Sequence, residues 1–291
     1  MRDIIRHNEF KIYLLMVLIM TLINFYYRPI KKNELITDTY KKSSSYVNNL
    51  YYSEEKFKKG IVAKRDYYIY EQIIDDLKNG KYTSTIECKI NGCAWDVYYA
   101  NEAILLDHPE LIALQTASYS ATSEKVVLKY SRLDPIRTYL GTKRIAREID
   151  IVKKETKNMN DKEKILFVYN YVASHNYDRL FRFANSNQSA YSFFTKGTSV
   201  CAGFAKSSQI LFQNIGINSY LVMGHEHMWN YVEYNGKYYV FDATVGASYR
   251  NKQRKEYYDG LGKTTVNKTE GLYKNLYPKI ESTTLRELFG V

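Results

Sequence analysis

Cysteine and proline are scarce, with three Cys and four Pro in 291 residues. Three thiols are too few for a disulfide-built scaffold or for a zinc site of four Cys ligands, so the fold must rest on packing. Four Pro with 14 Gly exclude a collagen-like chain or one dominated by linkers. No internal repeat is present. No run matches the aromatic RNP pattern or another nucleic-acid motif, although 30 Tyr stand among many Lys, so no nucleic-acid partner is expected.

What is present describes a folded globular protein, 45% hydrophobic and 25% charged. The length allows one large domain, or two smaller ones beside an appendage. The 42 Lys and Arg against 31 Asp and Glu give a formal charge of +11. Such a balance suits an anionic neighbour such as phospholipid headgroups or wall polymers, and equally suits a merely soluble surface.

The most apolar stretch runs from Ile12 to Ile23, behind Arg2, Arg6 and Lys11 and ahead of Phe25, Tyr26, Tyr27 and Arg28. A basic region before an apolar one marks an export signal, but bulky aromatics occupy the place where a small-residue cleavage site would lie. The span Phe10 to Tyr27 is close to the shortest length, about 17 residues, that crosses a bilayer, and its aromatics suit the interface. The expectation is an uncleaved single-pass transmembrane anchor in the cell membrane over 1–32; an amphipathic or buried core helix is the alternative. Lys and Arg are balanced on its two sides, and the short N-terminal tail favours staying inside, placing the rest outside the cytoplasm. A stalk follows over 33–60.

Residues 61–140 read as a small α+β region. Ile69, Ile73, Ile74 and Leu77 recur at helical spacing over Asp66 to Lys78, with Asn79-Gly80 as the stop. Tyr82 to Ile90 reads as extended. Trp95 to Leu106 reads as helical until His108-Pro109, and Glu124 to Tyr130 as a strand. Cys88 and Cys93 flank a turn signal; they can pair in an oxidising compartment, stay as thiols, or form half of a metal site.

Residues 141–291 read as the catalytic domain. Lys143 to Met159, carrying Ile145, Ile149 and Ile151, predicts a helix, and Asn160-Asp161 caps a second with Ile165, Val168, Tyr169 and Val172 on one face. A third starts near Ser199 to Cys201, lines up Phe204, Ser208, Leu211 and Ile215, and stops at Gly216. Strands follow over Ile217 to Met223, Met228 to Tyr234 and Lys237 to Ala243, the last two joined by Asn235-Gly236, the strongest short hairpin signal. A two-residue turn there makes Tyr234 face Lys237 and Trp229 face Asp242. His227 is then the diagonal neighbour of Asp242, whereas His225 lies two residues too far.

A thiol in the first turn of a helix is placed to ionise, because free backbone N–H groups and the helix dipole stabilise negative charge. With an imidazole beside it and a carboxylate fixing that ring, Cys201, His227 and Asp242 form a candidate nucleophile, general acid/base and orienter. The Cys201 N–H is the natural oxyanion donor, and a second is not assignable. Taken singly, a Cys on an apolar helix is more often a small buried hydrophobe, and a His beside Trp in a strand is usually structural; their joint placement carries the reading.

From Lys162 to Gly246 the chain resembles the transglutaminase-like core of the papain-like thiol enzymes, through Ser189-Ala190-Tyr191, Gly197-Thr198-Ser199-Val200-Cys201-Ala202-Gly203-Phe204-Ala205, His227-Met228-Trp229-Asn230 and Asp242-Ala243-Thr244. Asp107-His108-Pro109-Glu110-Leu111 is similar to a segment that precedes this core in bacterial envelope proteins. The resemblance implies an α+β fold in which the Cys helix packs on an antiparallel sheet bearing His and Asp. It also implies a Cys-His-Asp triad on Cys201, His227 and Asp242, no metal or organic cofactor, and a protein or peptide substrate, here at the cell envelope, such as a wall-linked one. Similar cores act as transglutaminases, proteases or amidases, and some are inactive binding modules. Where the family often has Trp and Asp after its Asp-x-Thr motif, this chain has Val245 and Gly246. The anchor reading predicts that a reporter fused after Val291, active only in the cytoplasm, stays silent in the full-length protein.

Overall fold

The computed structural model describes residues 15–16 and, from 64 to 291, all but 80, 89–92, 113, 123, 133–134, 182–183, 185–186, 250–253, 265–268 and 270–275. The expected anchor, apart from Leu15 and Met16, the stalk and the Gly80 helix stop lie outside the described residues. Among the described residues no helix is long and apolar enough to cross a membrane.

The first part comprises α1 (Lys64–Lys78), β1 (Thr83–Glu87), α2 (Cys93–Asp107), β2 (Leu114–Ala121) and β3 (Lys125–Arg132), with an antiparallel sheet in the order β1-β3-β2. The α1 stripe of Ile69, Ile73, Ile74 and Leu77 is buried as its spacing requires, in a cluster with Val97, Ala100 and Ile104 of α2 and Ile86 and Leu128 of the sheet. A disulfide joins Cys88 to Cys93, which leaves Cys201 as the free thiol. Strand β2 escapes sequence reading because Ser118, Tyr119, Ser120 and Ala121 are all exposed, so no apolar alternation marks it.

The second part comprises α3 (Pro135–Glu155), α4 (Asp161–Ala173), β4 (Asn176–Tyr177), α5 (Ala190–Lys196), β5 (Thr198–Ser199), α6 (Cys201–Ile215), β6 (Ser219–Gly224), β7 (His227–Tyr234), β8 (Lys237–Phe241), α7 (Ala243–Tyr249), a 3-10 turn over Lys255–Leu261 and α8 (Leu285–Phe289). Helix α3 opens on Pro135, a residue suited to the first helical position, earlier than the expected Lys143. Its core face is Ile145, Ile149 and Val152, while Ile151 is 40% exposed. At 100° per residue Ile151 points away from Ile149, and Val152, three residues on, takes the core position. Helix α4 carries a capping box in which Glu163 N–H donates to Asn160 Oδ1 at 3.0 Å and Asn160 N–H to Glu163 Oε2 at 2.9 Å.

Helix α6 is the axis of this part. Of its 15 residues, 14 are buried, so it is enclosed rather than laid on a surface. Phe204, Leu211, Phe212 and Ile215 belong to the cluster with Ile165, Val168, Tyr169 and Phe241, while Ala205 joins the cluster of the first part, as does Leu221 of β6. The two parts therefore share apolar contacts through α6 and the sheet β6-β7-β8. Gly216 ends the helix at φ +82°.

Gly203 permits a close approach. A Cβ there would lie 2.9 Å from the Ser189 carbonyl oxygen and 2.8 Å from Ser199 Cβ. Neither neighbour is the free end of a flexible side chain, so Gly203→Ala should cost about 1–3 kcal/mol through overpacking. Urea unfolding of the full chain will read this as a lowered midpoint with unchanged slope.

Candidate active site

The site begins at the start of α6. Val200, the N-cap, is extended and its side chain caps nothing, so no side chain ties up the first-turn N–H groups at Cys201. Cys201 is 9% exposed, and its Sγ lies 3.9 Å from the Glu226 carbonyl oxygen in the β6–β7 turn. The approach to the thiol is braced from upstream, where β5 pairs in parallel with β4 and Ser199 Oγ donates to the Asn187 carbonyl at 2.7 Å.

The hairpin supplies the partners. Asn235 at φ +51° and Gly236 at φ +75° form the left-handed two-residue turn that matches strand twist. Tyr234 pairs with Lys237 and Asn230 with Phe241, the register expected from the sequence. Strand β8 ends at Phe241 rather than Ala243, because Asp242 turns the chain: its Oδ1 accepts the Thr244 N–H at 3.1 Å as α7 begins. Its other oxygen, Oδ2, lies 2.7 Å from His227 Nε2. Cys201 is close enough to the His227 ring to help raise its basicity. The three residues singled out in the sequence thus meet, and His225 is left exposed in the turn.

Several residues that support the site were not singled out. Gln209 Nε2 donates to the Ser219 carbonyl at 2.8 Å, Ser219 Oγ to Gln209 Oε1 at 2.9 Å, and Asn230 Nδ2 to the Ala205 carbonyl at 3.1 Å. Their burial as polar side chains was the available signal. Gly260 was invisible: Asp242 N–H donates to its carbonyl at 2.7 Å, and a Cβ on it would lie 2.0 Å from the Asp242 oxygen. Among the described residues no group of three His, Cys, Asp or Glu is arranged to hold a metal ion.

Burial disfavours the charged form of His227, but the bond to Asp242 and the contact with Cys201 more than offset it, holding the pKa up at about 10. The folded value lies above the unfolded one of about 6.5, so the stability this ring contributes is complete below pH 6.5 and is lost as pH rises through about 10. Urea midpoints of wild type and His227→Gln should therefore converge between those pH values. A difference that stays constant across the window would contradict the raised pKa.

Residues 145–243 match the family described as the transglutaminase-like superfamily, core domain. No curated protein sequence matches the chain. Among solved structures, a candidate cysteine protease from Cytophaga hutchinsonii is 14% identical over 44% of this chain and 61% of its own, with a TM-score of 0.30. A structure described as a TGase is 15% identical over 70% of this chain and 61% of its own, with a TM-score of 0.33. The chain spans 61% of the length of each. The Cys helix, the His–Asp hairpin and the family match fall on one segment, residues 145–243, which is similar to the core of the transglutaminase-like superfamily.

Proposed function

We propose that the protein is a thiol acyl-transfer enzyme that opens amide bonds of protein or peptide substrates at the cell envelope, held there by the apolar segment Ile12 to Ile23. The observation that carries the chemistry is the His227 ring, bonded to Asp242 Oδ2 at 2.7 Å through Nε2, with Cys201 beside it.

The nucleophilic form of a cysteine is its thiolate, and Cys201 stands at an uncapped helix end beside the His227 ring, groups that stabilise negative charge. The thiolate attacks the amide carbonyl, and the Cys201 N–H is placed to stabilise the oxyanion. His227 then gives its proton to the leaving amine, and the thioester remains on Sγ. Neutral His227 takes a proton from an incoming water or amine, which releases the acid or a new amide and restores the starting pair. Asp242 keeps the ring oriented.

Incubating the full-length protein with glutamine-containing peptides and a primary amine, with mass spectrometry of the protein and the products, tests this reading. A Cys201-linked acyl adduct should appear in the wild type and be absent from Cys201→Ala. Asp242→Asn should lower kcat by about 10³- to 10⁴-fold. Wild type that never exceeds Cys201→Ala, with peptides, amines and wall fragments all supplied, would favour a non-catalytic binding module.

A further inference from the structure

Beside the strand that leads into Cys201 lies an open cavity of about 630 Å³, lined by Tyr177, Asp178, Arg179, Leu180, Phe181 and Thr198. The volume is in the range of ligand-sized sites. Asp178 N–H donates to the Ser199 carbonyl at 2.8 Å, so this wall is one hydrogen bond from the residue two before the nucleophile.

The wall is built to hold its shape. Asp178 Oδ1 accepts the Leu180 and Phe181 N–H groups at 3.0 and 2.9 Å, and its Oδ2 accepts Asn187 Nδ2 at 2.8 Å. Asn187 Nδ2 also donates to the Phe181 carbonyl at 3.1 Å, while the Asn187 carbonyl receives Ser199 Oγ at 2.7 Å. One residue therefore ties the turn to the approach of Cys201. What this rigid turn displays is apolar: Leu180 is 88% exposed and Phe181 65%. Neither covers the core, and a pinned backbone presents them with little ordering cost on binding. Asp178 is spent within the turn, whereas the exposed Arg179 makes no ion pair or hydrogen bond among the described residues. Two bare apolar side chains next to an exposed guanidinium suit an apolar group with a carboxylate beside it.

We infer that the turn Asp178–Phe181 is the substrate-selecting wall of the Cys201 site, with Leu180 and Phe181 receiving an apolar side chain of the substrate peptide and Arg179 an adjacent carboxylate. This rests on the thiol acyl-transfer reading. Asp178 and Asn187 are positioning residues for the wall.

The test compares second-order rates of Cys201 modification, in the full-length protein, by capped Leu-Glu, Leu-Lys and Gly-Gly chloromethyl ketones and by iodoacetamide. Leu-Glu should react about tenfold faster than Gly-Gly. The Leu180→Ser/Phe181→Ser double variant should bring that ratio close to one, and Arg179→Glu should invert the order of Leu-Glu and Leu-Lys. Each variant is read as a ratio to its own iodoacetamide rate, which corrects for any loss of folded protein. Equal rates for the three peptides in wild type, or preferences that survive both variants, overturn the inference while a fast iodoacetamide reaction leaves the triad standing. Iodoacetamide labelling no faster in wild type than in His227→Ala overturns the triad reading and this inference with it.

Discussion

The side-chain amide of Gln209 decides where Cys201 stands. Apolar contacts alone would let a helix enclosed on nearly all sides slide or rotate slightly on its sheet, because dispersion is not directional. Gln209 removes that freedom by bonding Ser219 on β6 through both of its ends, and Asn230 on β7 adds a bond to the backbone of α6 at Ala205. Each of these groups is buried, so losing one partner costs about 1–3 kcal/mol in desolvated polar atoms. From this anchor the helix rises ~12 Å over eight residues to Cys201, and β7 runs ~10 Å back to His227. Two stiff arms leaving one fixed point make their ends meet.

Asp242 is held as firmly. One carboxylate oxygen takes a backbone N–H, the other faces the imidazole, and the residue's own N–H is bonded to Gly260. A carboxylate so occupied has no alternative rotamer to visit, and burial strengthens its attraction for the imidazolium. The raised His227 pKa is thus a property of the tertiary fold around the hairpin as much as of the pair itself.

Much of this was legible in the sequence where the signal is local. Asn235-Gly236 sets the hairpin register, and the parity of His227 against Asp242 then follows from the two-residue period of a strand. Gly216 and the Asn160–Glu163 box mark helix ends through backbone chemistry that needs no neighbour. The illegible parts depend on distant chain. Asn187 and Gly260 matter because of what Ser199 and Asp242 bring against them, and the edge strand β2 has small exposed residues with no apolar rhythm. Ile151 shows the limit from the other side: it belongs to an apolar pattern but falls on the wrong side of α3, and the adjacent Val152 takes the buried place.

Tyr257, Leu261, Leu285 and Phe289 all lie beyond residue 243, yet they complete the cluster around α4 and α6, and Arg286 pairs with Asp259 next to Gly260, whose carbonyl receives the Asp242 N–H. Leu221 of the sheet β6-β7-β8 is buried in the cluster of the first part. The stretch that bears the recognisable chemistry is therefore not an autonomous cassette. Recombination that moved residues 145–243 into another gene would carry the nucleophile, the imidazole and the carboxylate, and leave behind the walls that make them a triad.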